Sequence, residues 1–347
     1  MKLIKDTHGQ IFLDNKVVFI PTNMILGEFS KKLPPEYINA CKFFGITLID
    51  RTKTLDDGID FYIIDSMCRE SIDKSFEEIT FDRADAILDN ATQTNRKISL
   101  LWSGGIDSTT ALLALYIKAK KRDCLERIQV FLTTHSIEEF ENFYTQIILK
   151  DLSHKIITPP IYTYMNPSEI IVTGELGDQL FGSDFLEKYI KQGIHTMPYE
   201  YILPQIVSKK LNSTKDADLL LKFLEKQIEQ SPIKIKTLYD YIWWLNYSMK
   251  WQYVTFRILS CIIEKREIPY EVEENMVHFF QSYEFQQWAL RENRFKIKKE
   301  WQSYKYIAKE FINRYFEDAA YLQNKTKEQS LGNISKHESF SFLYKGA

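Results

Sequence analysis

Apolar positions in the first twenty residues come in short runs broken by turn-forming pairs. Leu3 and Ile4 precede His8-Gly9, an apolar run at 11–13 precedes Asp14-Asn15, and a third at 17–20 ends at Pro21. That spacing predicts a small antiparallel sheet. Further on, Ala84, Ile87, Leu88 and Ala91 recur at helical spacing with charged residues between them, which predicts a helix over 81–95. Residues 97–102 (KISLLW) are β-rich and almost continuously apolar, as expected of a strand covered on both faces. Ser103-Gly104-Gly105 ends that run, and Ala111, Leu112, Leu115 and Ala119 then place a helix over 108–120. Strands at 128–133, 155–157 and 169–172, with a helix at 137–150, continue the alternation.

Strand alternating with helix predicts βαβ units and a doubly wound, Rossmann-like parallel sheet. Ligands of such α/β sheets bind beyond the carboxyl ends of the strands. After about residue 184 glycine nearly vanishes and helices are expected at 216–230, 236–264 and 301–316. The expected organisation is a small β-rich segment at 1–75, an α/β domain with a helical extension over 76–320, and a polar tail at 321–347.

The length of 347 residues, 44% hydrophobic and 27% charged, suits about two domains with a sizeable core. Lys plus Arg number 45 against 47 Asp plus Glu, a net charge of -2 that gives no overall basic excess for nucleic acid or an anionic membrane. No apolar run approaches the roughly 20 residues of a membrane helix, and the start MKLIKDTHGQ lacks the apolar core of a signal peptide. A cytoplasmic location is therefore expected. Cys41, Cys68, Cys124 and Cys261 form no CxxC pair, and the histidines show no i, i+4 pair, so zinc is not expected.

Ser103-Gly104-Gly105-Ile106-Asp107-Ser108 stands between an expected strand and an expected helix. Two glycines let the backbone turn tightly and bring N–H groups against an anion with no Cβ in the way. The helix that starts there adds the positive end of its dipole. The hydroxyls of Ser103 and Ser108 can donate to phosphate oxygens, and Asp107 makes sense beside phosphate when a cation such as Mg²⁺ separates them. The bland reading is a strand-to-helix turn with a polar cap, but five fixed positions match by chance only about once in a million windows. The string contains neither GxxxxGK nor GxGxxG, which argues against ordinary γ-phosphate transfer and dinucleotide binding.

SGGIDS resembles the PP-loop of the ATP pyrophosphatases, enzymes that cleave ATP between its α- and β-phosphates. A second stretch, TGELGDQLFG from Thr173 to Gly182, follows the apolar EIIV and resembles the second signature of asparagine synthetase, SGEGxDELFGG, whose synthetase domain β-lactam synthetase shares. The resemblance covers roughly residues 81–316, strongly at these two motifs. It implies ATP and Mg²⁺ as cofactors, with Leu101, Ser103, Gly104, Gly105, Asp107, Ser108, Thr173 and Gly174 lining the nucleotide. It also implies Asp178 as the second magnesium-binding carboxylate beside Asp107, and Glu175 as a base or amine-positioning group. The sequence departs from the signature in Thr173 for serine, Gln179 for glutamate and Ser183 for glycine. A fainter match places 279–285 at the family's PFLD segment and Tyr304-Lys305-Tyr306-Ile307 at its lysine-containing helix start. Lys305 is thereby the candidate to neutralise phosphate charge, with Lys298 and Lys299 as rivals.

Other clusters read as structure. Tyr239, Tyr241, Trp243, Trp244, Tyr247, Trp251, Tyr253 and Phe256 cover more than one helix face, which suits a core better than a base-stacking platform. Arg291, Arg294, Lys296, Lys298 and Lys299 read as a solvated basic face. Residue 2 is Lys2 rather than the nucleophilic cysteine of a glutaminase domain, so the amine is expected from ammonia, from the substrate or from another protein.

The expected activity is an ATP-dependent carbon–nitrogen ligase that adenylates a small-molecule carboxylate and passes the acyl group to an amine or ammonia. The alternatives are a PP-loop enzyme that adenylates a nucleic-acid base or carbonyl, and a nucleotide-binding module without turnover. Neither membrane nor nucleic acid is an expected partner; a homodimer or a separate amine-donating protein is compatible with the reading.

Overall fold

In the computed structural model, which describes residues 3–6, 8–158, 161–260, 274–291, 296–298 and 300–325, the N-terminal turn signals produce a three-stranded antiparallel meander. Its strands are β1 (Leu3–Lys5), β2 (Ile11–Leu13) and β3 (Lys16–Phe19). Asp14 and Asn15 join the last two with φ of 47° and 66°, the left-handed pair that a two-residue hairpin requires. The chain forms two units, one of Met1–Glu70, Asp178–Ile268 and Lys299–Trp301, the other of Ser71–Gly177, Pro269–Lys298 and Gln302–Ala347.

In the first unit the aromatic cluster is core. Trp243, Trp244, Tyr247 and Trp251 are fully buried, as their spread around the helix predicts. The single helix expected over 236–264 is instead two, Leu238–Met249 and Trp251–Ser260. The chain bends at Lys250, and Trp251 then stacks under the Arg51 guanidinium at 4.7 Å and donates to Asp65. Gln252 ties the second helix to the meander, its Nε2 donating to the carbonyls of Val18 and Tyr62, each at 2.9 Å.

The second unit begins with α1 (Phe76–Gln93), five residues earlier than its apolar spacing predicts, because Ser75 and Glu78 form a capping box. β4 (Ile98–Leu101), α2 (Ile106–Lys121), β5 (Ile128–Leu132), β6 (Ser153–Ile156), β7 (Ile170–Thr173) and β8 (Met276–His278) follow. The five strands form one parallel sheet in the order β6-β5-β4-β7-β8, flanked by helices, which is a Rossmann-like α/β arrangement. Every residue of β4 and β7 is buried, which explains their unbroken apolar character. Successive strands run outward from β4 through β5 to β6, and then the chain returns to β7 on the other side of β4. The order therefore reverses between β4 and β7, and the carboxyl ends of these two strands frame the crevice where such sheets bind ligands.

The helix expected over 137–150 is broken. It starts early, at Thr134–Glu139, under a Thr133–Ser136 capping box, and Phe140 interrupts it at φ -150° and ψ 68°. A short wide turn of i to i+5 type over Tyr144–Ile148 follows. The interruption lets the Phe140 ring stack on Tyr321 at 3.9 Å. The helix expected over 301–316 begins only at Tyr306, as α3 (Tyr306–Tyr315), because Lys305 adopts a left-handed φ of 57°. α4 (Ala319–Asn324) follows it. Cys261, Arg294, Lys299 and the tail from 326 lie outside the described residues.

Candidate functional site

Leu101 ends β4 opposite Phe131. The Trp102 amide extends the ladder by one bond to the Phe131 carbonyl at 2.9 Å, and its indole donates to Thr109 Oγ1 at 3.0 Å, fixing the start of α2 against the strand end. The chain between them turns through Gly104 at φ +77°. A Cβ there would lie 2.5 Å from the Ser136 carbonyl oxygen and 2.8 Å from Glu139 Cβ, so both backbone conformation and space demand glycine.

Gly105 precedes α2, a helix of 16 residues, and has no side chain of its own to cap it; its amide donates to Ser103 Oγ at 3.3 Å, which places that hydroxyl at the positive end of the helix. Ser103 and Ser108 close the loop on itself: Ser103 N donates to Ser108 Oγ at 3.1 Å, and the two hydroxyls are 2.9 Å apart. Both side chains are buried at the mouth of the turn.

The second motif lies directly on the first. A Cβ on Gly174 would be 2.7 Å from the Ser108 amide nitrogen, and one on Gly177 would be 2.4 to 2.7 Å from the carboxylate atoms of Asp107. Only glycine permits this approach of the β7 loop to the first turn of α2. Between the glycines, Leu176 holds a left-handed φ of +73°. Glu175 is 3% exposed and its amide donates to Thr173 Oγ1 at 3.2 Å. Thr173 Oγ1 is in turn 2.7 Å from His278 Nδ1.

Lys305, the candidate chosen from the sequence, reaches the same place. Its side chain is 1% exposed and its Nζ donates to Asp107 Oδ2, while the Asp107 side chain keeps 21% exposure. The left-handed turn at Lys305 aims the side chain there ahead of α3. The rival Lys298 instead pairs with Glu310 at 3.0 Å on the surface; Lys299 is outside the described residues. Asp178 is the first residue of the other unit, where its carbonyl accepts from Asn246 Nδ2 at 2.8 Å. The departure at Gln179 has a local reason: its buried amide donates to Asn246 Oδ1 at 3.3 Å, and a glutamate would offer no hydrogen to that oxygen.

Four residues were not foreseen. Glu139, 1% exposed, pairs with Lys325 at 2.6 Å and forms the wall against Gly104. Lys309 is buried, donating to the carbonyls of Gln302 and Lys325, and burial pushes its ammonium down to about 8. His278 completes the set. No local pattern marks Lys309 or the Glu139–Lys325 pair, whose members are remote in sequence; His278, inside the apolar run 276–280, is a visible irregularity.

Among the described residues no cluster of three or more His, Cys, Asp or Glu side chains forms a metal site. Mg²⁺ asks for less, since it keeps several waters and takes one or two carboxylates together with phosphate oxygens. Asp107, at the head of α2 with a glycine main chain laid against it, fits that requirement. The assembly of helix start, buried hydroxyls and buried lysine is suited to a polyanion with a bound cation. No family model matches the chain, and no curated protein matches it.

Proposed function

We propose that this protein is an ATP-dependent, amide-forming ligase of the asparagine-synthetase type, with a PP-loop at Ser103–Ser108. The observation that carries the reading is the abutment of the Gly174–Gly177 main chain on Asp107 and Ser108, at the point where the strand order reverses. Two motifs distant in sequence, each resembling a family signature, meet where the glycines of the second lie against Asp107 and Ser108 of the first.

In the proposed chemistry a carboxylate oxygen of the substrate attacks the α-phosphorus of ATP, and pyrophosphate departs with the electrons of the broken P–O bond. An amine nitrogen then attacks the acyl carbon, and AMP leaves. The loop amides and the Ser103 and Ser108 hydroxyls orient the phosphates, and Lys305 neutralises charge that builds on the α-phosphate and the leaving group. Glu175, held by Thr173 on the β7 loop, takes the proton that the amine must lose. Asp107, with Asp178 by the same resemblance, would hold Mg²⁺, which when bound supplies positive charge against the pyrophosphate oxygens.

Asp107→Asn keeps size and hydrogen-bonding capacity but removes the charge. Pyrophosphate release should fall by at least about a hundredfold, since removing one electrostatic contact of this kind costs that much, while the folded state persists by circular dichroism. Wild-type release from this variant would remove Asp107 from the machinery.

A further inference from the structure

Glu175 sits on a loop that contains a left-handed leucine and closes on α2 at sub-van der Waals spacing for anything but glycine. Such a loop holds its shape only if its surroundings over-determine it. The anchoring comes from β8. That strand pairs with β7 in parallel register, Thr173 opposite His278, which brings the two side chains together. Thr173 and His278 are each 2% exposed, and His278 Nδ1 lies 2.7 Å from Thr173 Oγ1. The Phe279 amide donates to the Thr173 carbonyl at 2.9 Å. Arg83 on α1 fixes this strand end from behind, donating to the carbonyls of His278 at 3.2 Å and Phe279 at 3.0 Å.

We infer that His278 is a positioning residue for Glu175, acting through the Thr173 hydroxyl; the inference rests on the role proposed above for Glu175. A threonine hydroxyl carries one hydrogen. When Nδ1 accepts it, the oxygen lone pairs face the Glu175 amide, which donates to them at 3.2 Å. His278 thereby sets the hydroxyl rotor that would otherwise be free to turn toward other acceptors. The β-branch at Thr173 adds to this, because it stiffens χ1 where serine would leave it mobile. The departure from serine at 173 and the histidine at 278 are two halves of one device, which fixes the peptide that carries the Glu175 carboxylate.

The test compares wild type with His278→Ala, His278→Asn and Thr173→Val, the last an isostere that keeps the fold if the alanine variant does not. Three readouts are taken: hydrogen exchange at the Glu175 amide, MgATP binding by calorimetry, and steady-state pyrophosphate release with a pool of amino and dicarboxylic acids plus hydroxylamine. His278→Ala and Thr173→Val should exchange the Glu175 amide about tenfold faster, the effect of one lost neutral hydrogen bond. Both should lower kcat by at least as much, and His278→Ala should leave the MgATP dissociation constant and the KM for ATP within about twofold, because the amides at the head of α2 are untouched. His278→Asn, whose side chain presents an acceptor near the Nδ1 position, should recover most of both losses. Unchanged exchange in His278→Ala, or an asparagine variant as impaired as alanine, overturns the inference. Absence of pyrophosphate from wild type would instead refute the ligase reading, and the exchange measurement would still decide whether His278 holds the Glu175 amide.

Discussion

The ammonium of Lys305 lies on Asp107 Oδ2, so the carboxylate proposed for a magnesium ion carries a built-in cation. Removing a buried partner leaves its opposite charge poorly compensated, and the cost is large unless another cation replaces it. Lys305→Met should therefore lower the unfolding free energy by about 2 kcal/mol, less than for a wholly buried pair because Asp107 is 21% exposed. Added Mg²⁺ without nucleotide should raise the melting temperature of this variant more than that of wild type. Equal shifts in the two proteins would mean that Lys305 and Mg²⁺ do not share a carboxylate.

The glycines of the second loop give a steric prediction. Gly177→Ala would place a methyl group within 2.7 Å of the Asp107 carboxylate, and Gly174→Ala would place one 2.7 Å from the Ser108 nitrogen. The first clash displaces the Asp107 carboxylate and the second the backbone at the head of α2. Calorimetric affinity for MgATP should fall more than about tenfold in both, a loss of roughly 1.4 kcal/mol, and affinity equal to wild type would show that the loop does not shape the phosphate site.

The buried pair beside Gly104 gives a stability prediction. Lys325→Met removes the 2.6 Å partner of a carboxylate that is 1% exposed, and urea denaturation should register a loss of about 3 kcal/mol. Adding Glu139→Gln in the same chain should recover most of it, because the double variant buries no uncompensated charge. A double variant worse than Lys325→Met alone would contradict this account of the wall.

In the other unit, burial pushes the Asp57 carboxyl from its ordinary 3.8 up to about 7, with the Asp50 and Asp56 charges adding to the effect. Between those values the folded chain retains a proton that the unfolded chain has released. Stability therefore falls as pH rises from about 4 to 7, and the full penalty is present above pH 7. Asp57→Asn keeps an acceptor for the Ile59 amide, bonded at 2.9 Å, and should be more stable than wild type by about 2 to 4 kcal/mol at pH 8. The difference should shrink toward zero at pH 4; parallel pH profiles for the two proteins would contradict the assignment.

What the sequence disclosed follows from how local its causes are. The strand at β4, the turn at Gly104 and the start of α2 are written in adjacent residues, and so are the Asp14-Asn15 hairpin and the glycines of the second loop. Lys305 was singled out for the phosphates through a resemblance in spacing, and its contact with Asp107 had no sign in the sequence. β8 has three residues, too few to show a period of two, and its role comes from the register with β7. The break at Phe140 is set by packing against Tyr321, far along the chain, and the Glu139–Lys325 pair likewise has no local signature. Gln179 looked like a weakened catalytic motif until its hydrogen bond to Asn246 supplied a packing reason.

The most direct measurement follows the fate of ATP labelled separately at the α- and γ-phosphates, incubated with the protein, Mg²⁺, ammonia and a broad pool of carboxylic acids. The account predicts α-label in AMP, γ-label in pyrophosphate, and one amide formed for each ATP consumed. Label appearing instead in ADP and orthophosphate would contradict it.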